Sequence, residues 1–563
     1  MKFIVLMLIL CVLGGSQLMA GGGGQAAPRG PAANSAAIVT PPGQLPIVRE
    51  AHTMTVGLRQ SINVQNYETN FLTGWLREQT GITTSFQLFS SVTADSNTQF
   101  ELMVSSGERI PDVMLFPPGD WILHGDNGVF IDLNPFFRDW AYFYNERIAS
   151  LDRSEIDRIE LRTTAPSGRR YAYAMYSQQI NQNYRGMNFV NQTWLDRLGL
   201  PMPRTTEDFY RTLVAFRDRD PTGTGIATIP WIGAPMNGGE PLAFVINAFV
   251  YHPYRDHGNF FLNVTDGRIW TPWTTEEYRE ALRFLNRLYA ENLLHPSTFN
   301  NSTQELGAVL SYQPGETGRV GFFSGNMTQV LLPETPAIYD FTFQMPLTGP
   351  RGVNYYPMMP HRVVPTSFIT RDATHPEAAF RWLDFWSSRE GSMVSRQGER
   401  GVDWDWTRPE ENAISWWGTS AEIRTYNSLW ATSQNKHWQI EPGQMYIIGE
   451  NTVLDAWVND GSFIATRIAM YMPYRERVAA SGAIDVPEFV ETILYTEQEL
   501  NDIREIRASI DTYREESRAL FISGTLSLDR DWNTYLQTLE RMGLPRYLEI
   551  TQRAYTRTMQ MIR

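Results

Sequence analysis

The sequence predicts an α/β protein of at least two folded units that ends in a helical region, and three observations carry that prediction. Its 563 residues exceed the roughly 250–300 at which one hydrophobic core stops growing. From residue 53 onward, short β-rich apolar runs alternate with segments of helical periodicity, the pattern of parallel strands joined by crossover helices. The last 75 or so residues, 488–562, carry apolar side chains at helical spacing almost without interruption. With 42% hydrophobic and 19% charged residues, the composition is that of a folded globular chain. A formal net charge of −13 argues against a nucleic-acid partner, because phosphate binding needs a basic face.

The elements follow in order. Lys2 precedes an apolar run over 3–13, and small residues lead through Ala20 into Gly21-Gly22-Gly23-Gly24, the layout of a secretory signal peptide over 1–20. The run is too short to span a bilayer as a stable anchor. The single cysteine, Cys11, lies inside it. Lipidation there is the alternative reading, although Leu10 stands where a small residue normally precedes a lipidated Cys. Cleavage near Ala20 leaves a mature chain without thiols or disulfides. Residues 21–46, rich in Gly, Ala and Pro, are expected to form a flexible leader.

Strands are expected at 53–57, 82–88 and 111–116, with helices at 71–79, ended by Gly81, and at 100–106. Thr205-Thr206-Glu207-Asp208 opens a helix with a Thr-x-x-Asp cap. Thr274 and Glu277 form a capping box ahead of Tyr278, Ala281, Leu282, Leu285, Leu288 and Tyr289. Residues 378–386 read as amphipathic, and Ile503, Ile506, Ile510 and Tyr513 form one stripe of the C-terminal region. No repeat period is present, which argues against a solenoid or propeller.

None of the 8 His residues falls in a metal-ligand spacing, and the chain lacks both a G-x-S-x-G elbow and a phosphate-binding loop. A carboxylate pair for glycoside hydrolysis stays open, because the deciding separation is spatial. The aromatic content, with 17 Trp and 25 Tyr, suits the apolar faces of sugar rings, while Asp, Asn, Gln and Arg suit their hydroxyls. Trp231, Trp404 and Trp438 have polar, loop-like settings and are candidate ligand contacts. Trp194 and Trp386 sit in helical patterns and read as packing residues.

Several ordered blocks carry a resemblance. They are Ser106-Gly107-Glu108-Arg109-Ile110-Pro111-Asp112-Val113, Gly168-Arg169-Arg170-Tyr171-Ala172-Tyr173 and Trp194-Leu195-Asp196-Arg197-Leu198-Gly199-Leu200. Pro203-Arg204-Thr205-Thr206-Glu207-Asp208-Phe209 and Leu288-Tyr289-Ala290-Glu291-Asn292-Leu293 follow, then Phe521-Ile522-Ser523-Gly524, Trp532-Asn533-Thr534-Tyr535 and Gln552-Arg553-Ala554-Tyr555. Together they resemble the long oligosaccharide-binding branch of the family 1 extracellular solute-binding proteins.

The resemblance implies a periplasmic-binding-protein-like fold, with two lobes of mixed sheets flanked by helices and joined by hinge crossings. The N-terminal lobe is then expected over 47–178 plus 358–400, and the C-terminal lobe over 179–357 plus 401–563. Such a protein is a non-enzymatic, cofactor-free monomer outside the cytoplasm, periplasmic or extracellular, that passes an oligosaccharide to an ABC permease. Crossings are expected at 174–179, 358–364 and 398–404. That places Tyr173 and Tyr176, His361 and Arg362, and Arg400 and Trp404 beside the ligand.

Two departures stand out. The family's acidic calcium loop here reads Asp220-Pro221-Thr222-Gly223-Thr224-Gly225-Ile226-Ala227-Thr228. Three threonines replace hard-oxygen donors, so calcium is expected to be absent or weak. Arg400 replaces the family's usual Glu, which leaves neutral and uronic sugars both open. A secreted carbohydrate-active enzyme and a sensory sugar-binding protein are the alternative functions.

Overall fold

The computed structural model describes residues 38–177, 188–235, 241–253, 261–325, 335–356, 362–412, 422–427, 429, 432–440, 445–446, 480, 482, 490 and 492–562. It begins with a folded-back segment in which Val39 bridges Val48, and both are buried together with Ile47. Arg381 clamps this segment by donating to the carbonyl oxygens of Thr40 and Gln44. The stretch from Ile38 onward, expected to be leader, is therefore packed on the first lobe.

In that lobe β1 (His52–Arg59), β2 (Ile82–Phe89) and β3 (Val113–Met114) run parallel, with Val56 in register with Phe86 on one side and Val113 on the other. Between β1 and β2, α1 (Phe71–Thr80) is capped by the Asn70 side chain, which accepts from the Leu72 N–H, and stops at Gly81 with φ 76°. Helix α2 (Thr93–Ser106) starts earlier than its apolar periodicity suggested, because its first turns are polar. Short helices α3 (Trp121–Asp126) and α4 (Phe143–Ile148) precede α5 (Arg153–Thr163). Strand β4 (Tyr173–Ser177), buried at every position, closes this part of the lobe.

The second sheet starts with β5 (Asn188–Asn191), which leads directly into α6 (Gln192–Leu198). Helix α7 (Thr206–Asp218) opens on the reciprocal Thr205–Asp208 capping box that the sequence predicts. Next come β6 (Ile229–Gly233) and a hairpin of β7 (Asn263–Thr265) and β8 (Arg268–Trp270). The hairpin's Asp266-Gly267 turn holds both residues at positive φ. Helix α8 (Glu276–Ala290) is capped by Thr275 rather than Thr274, whose hydroxyl bonds the Thr271 carbonyl instead. Strands β9 (Val320–Ser324) and β10 (Phe341–Phe343) complete a sheet of order β10-β5-β9-β6, in which β6 and β9 are parallel.

The chain returns on β11 (Arg362–Ile369), antiparallel to both β3 and β4. Helix α9 (Pro376–Trp386) is buried at every position from Ala378 to Trp386, because it is covered on all sides. Trp438 packs on Trp382 and Trp386, and the backbone around Gln434 and Asn435 pairs with Val64 and Phe71. Helix α10 (Arg389–Gln397), the ribbon β12 (Trp404–Trp406) with β13 (Ile423–Thr425), and β14 (Met445–Tyr446) beside β4 complete the first sheet and its surroundings. Its order is β14-β4-β11-β3-β1-β2. The described residues between 401 and 446 thus pack with the first lobe, against the expectation that the second began at 401.

Asp384 of α9 ties the lobe together. Its carboxylate accepts from the N–H groups of Tyr142, Phe143 and Tyr144 at 2.9–3.0 Å, which caps α4. Burial pushes its pKa up to about 6 despite those donors and Arg381.

The C-terminal helices α11 (Glu497–Ser523), α12 (Trp532–Arg541) and α13 (Leu544–Ile562) pack on one another, on α8 and on the β7–β8 hairpin. Ile503 and Ile510 of the expected stripe are buried, with Ile506 and Tyr513 packed beside them. At 27 residues and 1.5 Å per residue, α11 is about 40 Å long. No helix among the described residues is long and apolar enough to cross a membrane.

Candidate functional site

Sheet topology fixes where a site can lie. The chain leaves the first sheet at the carboxyl end of β4 and re-enters it at the amino end of β11, and Ser177 and Arg362 at these two points are register partners. On the second sheet the corresponding points are Asn188, at the start of β5, and Phe343, at the end of β10. Asn188 pairs with Ser324 at the carboxyl end of β9, which in turn pairs with Gly233 at the end of β6. Both crossings therefore join the edges that carry the carboxyl ends of the parallel strands, where α/β sheets bind ligands. The segment 398–404 is not a crossing. It stays in the first lobe, and beyond Tyr446 the described chain is next found on the second lobe at Ala480, beside β10, and then at Val490.

The residues predicted for the site have the following places. Tyr173 is fully buried, stacked on Phe137, with its hydroxyl 2.7 Å from the Ser387 hydroxyl and 3.3 Å from Asp384. Tyr176, also buried, donates to Glu155 at 2.8 Å. Trp231 lies on β6 rather than in a loop, edge-on to Phe209, and donates Nε1–H to the Ser324 hydroxyl at 3.0 Å. Trp404 starts β12 with no exposure, donates to the Gly398 carbonyl at 3.0 Å, and meets Trp406 edge to face. Trp438 donates to the Thr73 hydroxyl at 2.9 Å from inside the aromatic cluster of α9. These five side chains are thus enclosed, with their polar tips satisfied by protein groups.

Arg362 is half-buried at the crossing edge, while Arg400 is exposed and paired with Asp405 at 2.9 Å. His361 lies outside the described residues.

Two further features of these edges escaped the sequence reading. Arg59 ends β1, half-buried, with its guanidinium 4.6 Å from the Phe116 ring centroid and bonded to Ser96 and Asn97. Its signal was an arginine directly after an apolar strand, which is common on surfaces and so unspecific. On the second lobe, a cavity of about 460 Å³ starts at Phe343 and runs along the outside of β10. Met202 and Met345 line it together with Arg204, Thr348 and Asn354. Its size and its mix of apolar and hydrogen-bonding groups are those of small-molecule sites, ~300–1,000 Å³.

The loop from Asp220 to Thr228 is closed by its own donors. The Asp220 carboxylate accepts from the Thr222 hydroxyl and from the N–H groups of Gly223 and Gly225, which hold its pKa below the usual range, the hydroxyl most strongly. Arg197 donates to the carbonyl oxygens of Pro221 and Thr222 at 2.6 and 2.5 Å. With a guanidinium on the carbonyls and the carboxylate engaged by three donors of its own loop, the residues present do not fit calcium. Among the described residues no group of three His, Cys, Asp or Glu is placed to hold a metal ion.

Residues 63–393 match the family model described as bacterial extracellular solute-binding protein. The fructooligosaccharide ABC transporter substrate-binding protein FusA of Streptococcus pneumoniae is 23% identical over 511 residues, covering 85% of each chain. The structure of FusA in complex with kestose superimposes with a TM-score of 0.70 at 19% identity, covering 90% of this chain and 99% of that one. An extracellular solute-binding protein from Bifidobacterium longum subsp. infantis gives 0.73 at 18% identity, with 90% and 98% covered.

Proposed function

Because this chain belongs to the bacterial extracellular solute-binding protein family and has its periplasmic-binding-protein-like fold, we propose that it is the substrate-binding subunit of an ABC importer for an oligosaccharide. The sugar is captured between the lobes and delivered to a membrane permease. The observation that carries the reading is the joining of two sheets at their carboxyl-end edges, in a chain aligned over most of its length with a fructooligosaccharide binder.

In this reading the first lobe offers the guanidinium groups of Arg59 and Arg362, and the second offers the cavity beside β10 with Arg204 and Asn354. Arginine forks suit vicinal hydroxyls as well as carboxylates. Trp231, Trp404 and Trp438, with Tyr173 and Tyr176, act as walls that hold these edges in place. Closure follows from a ligand that contacts both lobes and so favours the arrangement in which both reach it.

The test is calorimetric titration of the secreted form with kestose, nystose, human milk oligosaccharides and alginate oligomers, preceded by a thermal-shift screen, because a ligand that binds only the native state raises the melting temperature. Saturable binding of one class without new reducing ends supports the proposal. Release of shorter sugars from the same oligomers would identify a carbohydrate-active enzyme instead, and binding of none of them removes the oligosaccharide reading.

A further inference from the structure

Beyond the chain crossings, the lobes meet at a polar contact built by the C-terminal helices. From the carboxyl end of β3, Pro117-Pro118-Gly119 carries Asp120 to the first turn of α3, with Gly119 at φ 41°. There the Asp120 carboxylate accepts from Arg504 of α11 at 2.9 Å. A second contact lies on the same helical region: Arg162 near the end of α5 donates to the Thr492 hydroxyl at 2.8 Å, on the segment that leads into α11.

The two contacts form one patch with a stiff support on each side. In the first lobe, Tyr171 donates its N–H to the Thr163 carbonyl beside Arg162, and its ring lies flat on Gly125 of α3. A Cβ at Gly125 would stand 2.2 Å from that ring, so α3 and the end of α5 are locked together. In the second lobe, the Leu494 N–H bonds the Thr558 hydroxyl, and Arg557 of α13 bonds both the Leu494 carbonyl and Glu499. Thr496 and Glu499 then cap α11 reciprocally. Neither Asp120, Arg162, Thr492 nor Arg504 lies on a crossing strand, so rotating one lobe about the crossings must change both distances.

We infer that this patch is an interlobe latch: the C-terminal helices reach across and favour a compact arrangement of the lobes over one rotated open about the crossings. Its value for capture rests on the binding reading above, but the latch itself needs no ligand. A protein held partly closed loses less of its affinity to the unproductive open population. Both side chains of the ion pair are about half exposed. Such a pair biases the compact form by up to about 5-fold and weakens with salt.

The experiment is small-angle X-ray scattering of the ligand-free mature chain. The expected results are a radius of gyration that rises with ionic strength in the wild type, a larger value at low salt for Asp120→Arg, and recovery in the charge-swapped Asp120→Arg/Arg504→Asp pair. Thr492→Val should add to the increase. Melting temperatures near wild type confirm that each variant is folded, and if the reversal unfolds the lobe, Asp120→Asn replaces it and should abolish the salt response. A radius that is unchanged or smaller in the folded single variants, or one that the swapped pair fails to restore, overturns the latch. Because no sugar is present, that result leaves the proposed ligand class untouched, and failure to find a sugar leaves the latch untouched.

Discussion

Trp404→Ala separates a packing role from a binding role. Trp404 is wholly buried between the first-lobe core and Trp406, and its Nε1–H satisfies the Gly398 carbonyl at 3.0 Å. Truncating a core Trp to Ala costs about 3–5 kcal/mol, and orphaning a buried carbonyl adds about 1 kcal/mol. In a lobe of this size each kcal/mol moves the midpoint by about 2–4 °C, so the ligand-free melting temperature should fall by roughly 8–24 °C. Trp404→Phe, which keeps a ring and loses only the hydrogen bond and part of the volume, should fall by less than half as much. The assay pairs differential scanning calorimetry without ligand with titration of whichever oligosaccharide the wild type binds. A ligand-free midpoint within about 2 °C of wild type, together with a loss of affinity of 30-fold or more, would show that the indole face serves a sugar and that its enclosure has been misjudged.

Three other outcomes follow from the same structure. Chelation should leave the melting temperature unchanged, whereas Arg197→Ala should lower it, by about 1–2 kcal/mol of lost charge-assisted bonds; calcium-restored stability after chelation would refute the closed loop around Asp220. Asp384, with a folded pKa of about 6 against 3.8 unfolded, binds its proton more tightly when folded, so its contribution is complete below pH 3.8 and is lost as pH rises through 6. Glu499 is opposite, because Arg557 and the Thr496 N–H outweigh its burial and hold it at about 2; its contribution is present above pH 4.5 and disappears as pH falls toward 2. Replacing Asp384 with Asn should therefore flatten the decline in stability between pH 4 and 6 seen by pH-dependent melting, even if it lowers stability overall. Mass spectrometry of the secreted protein should find a start near Gly21 and no lipid; a diacylated Cys11 would reverse that expectation.

What the sequence determined by itself is whatever depends on neighbours along the chain. The Thr205–Asp208 cap, the Gly81 stop, the apolar stripe of α8 and the ordered family blocks are all short-range patterns, and they were enough for the fold class and the family. Local pattern also failed locally where two threonines competed for one cap, since the choice of Thr275 depends on where the Thr274 hydroxyl finds an acceptor.

The tertiary structure alone decided the environment of each aromatic and the path between lobes. Trp438 looks like a loop residue until Trp382 and Trp386, more than fifty positions earlier, close around it. Asp384 looks like a surface carboxylate until three N–H groups about 240 residues away converge on it. Arg504 and Asp120 are 384 residues apart, and nothing in either local sequence points to the other. Burial and ion pairing are properties of surfaces brought together in space, so a one-dimensional pattern can show that a residue is suited to a role without showing which partner it meets.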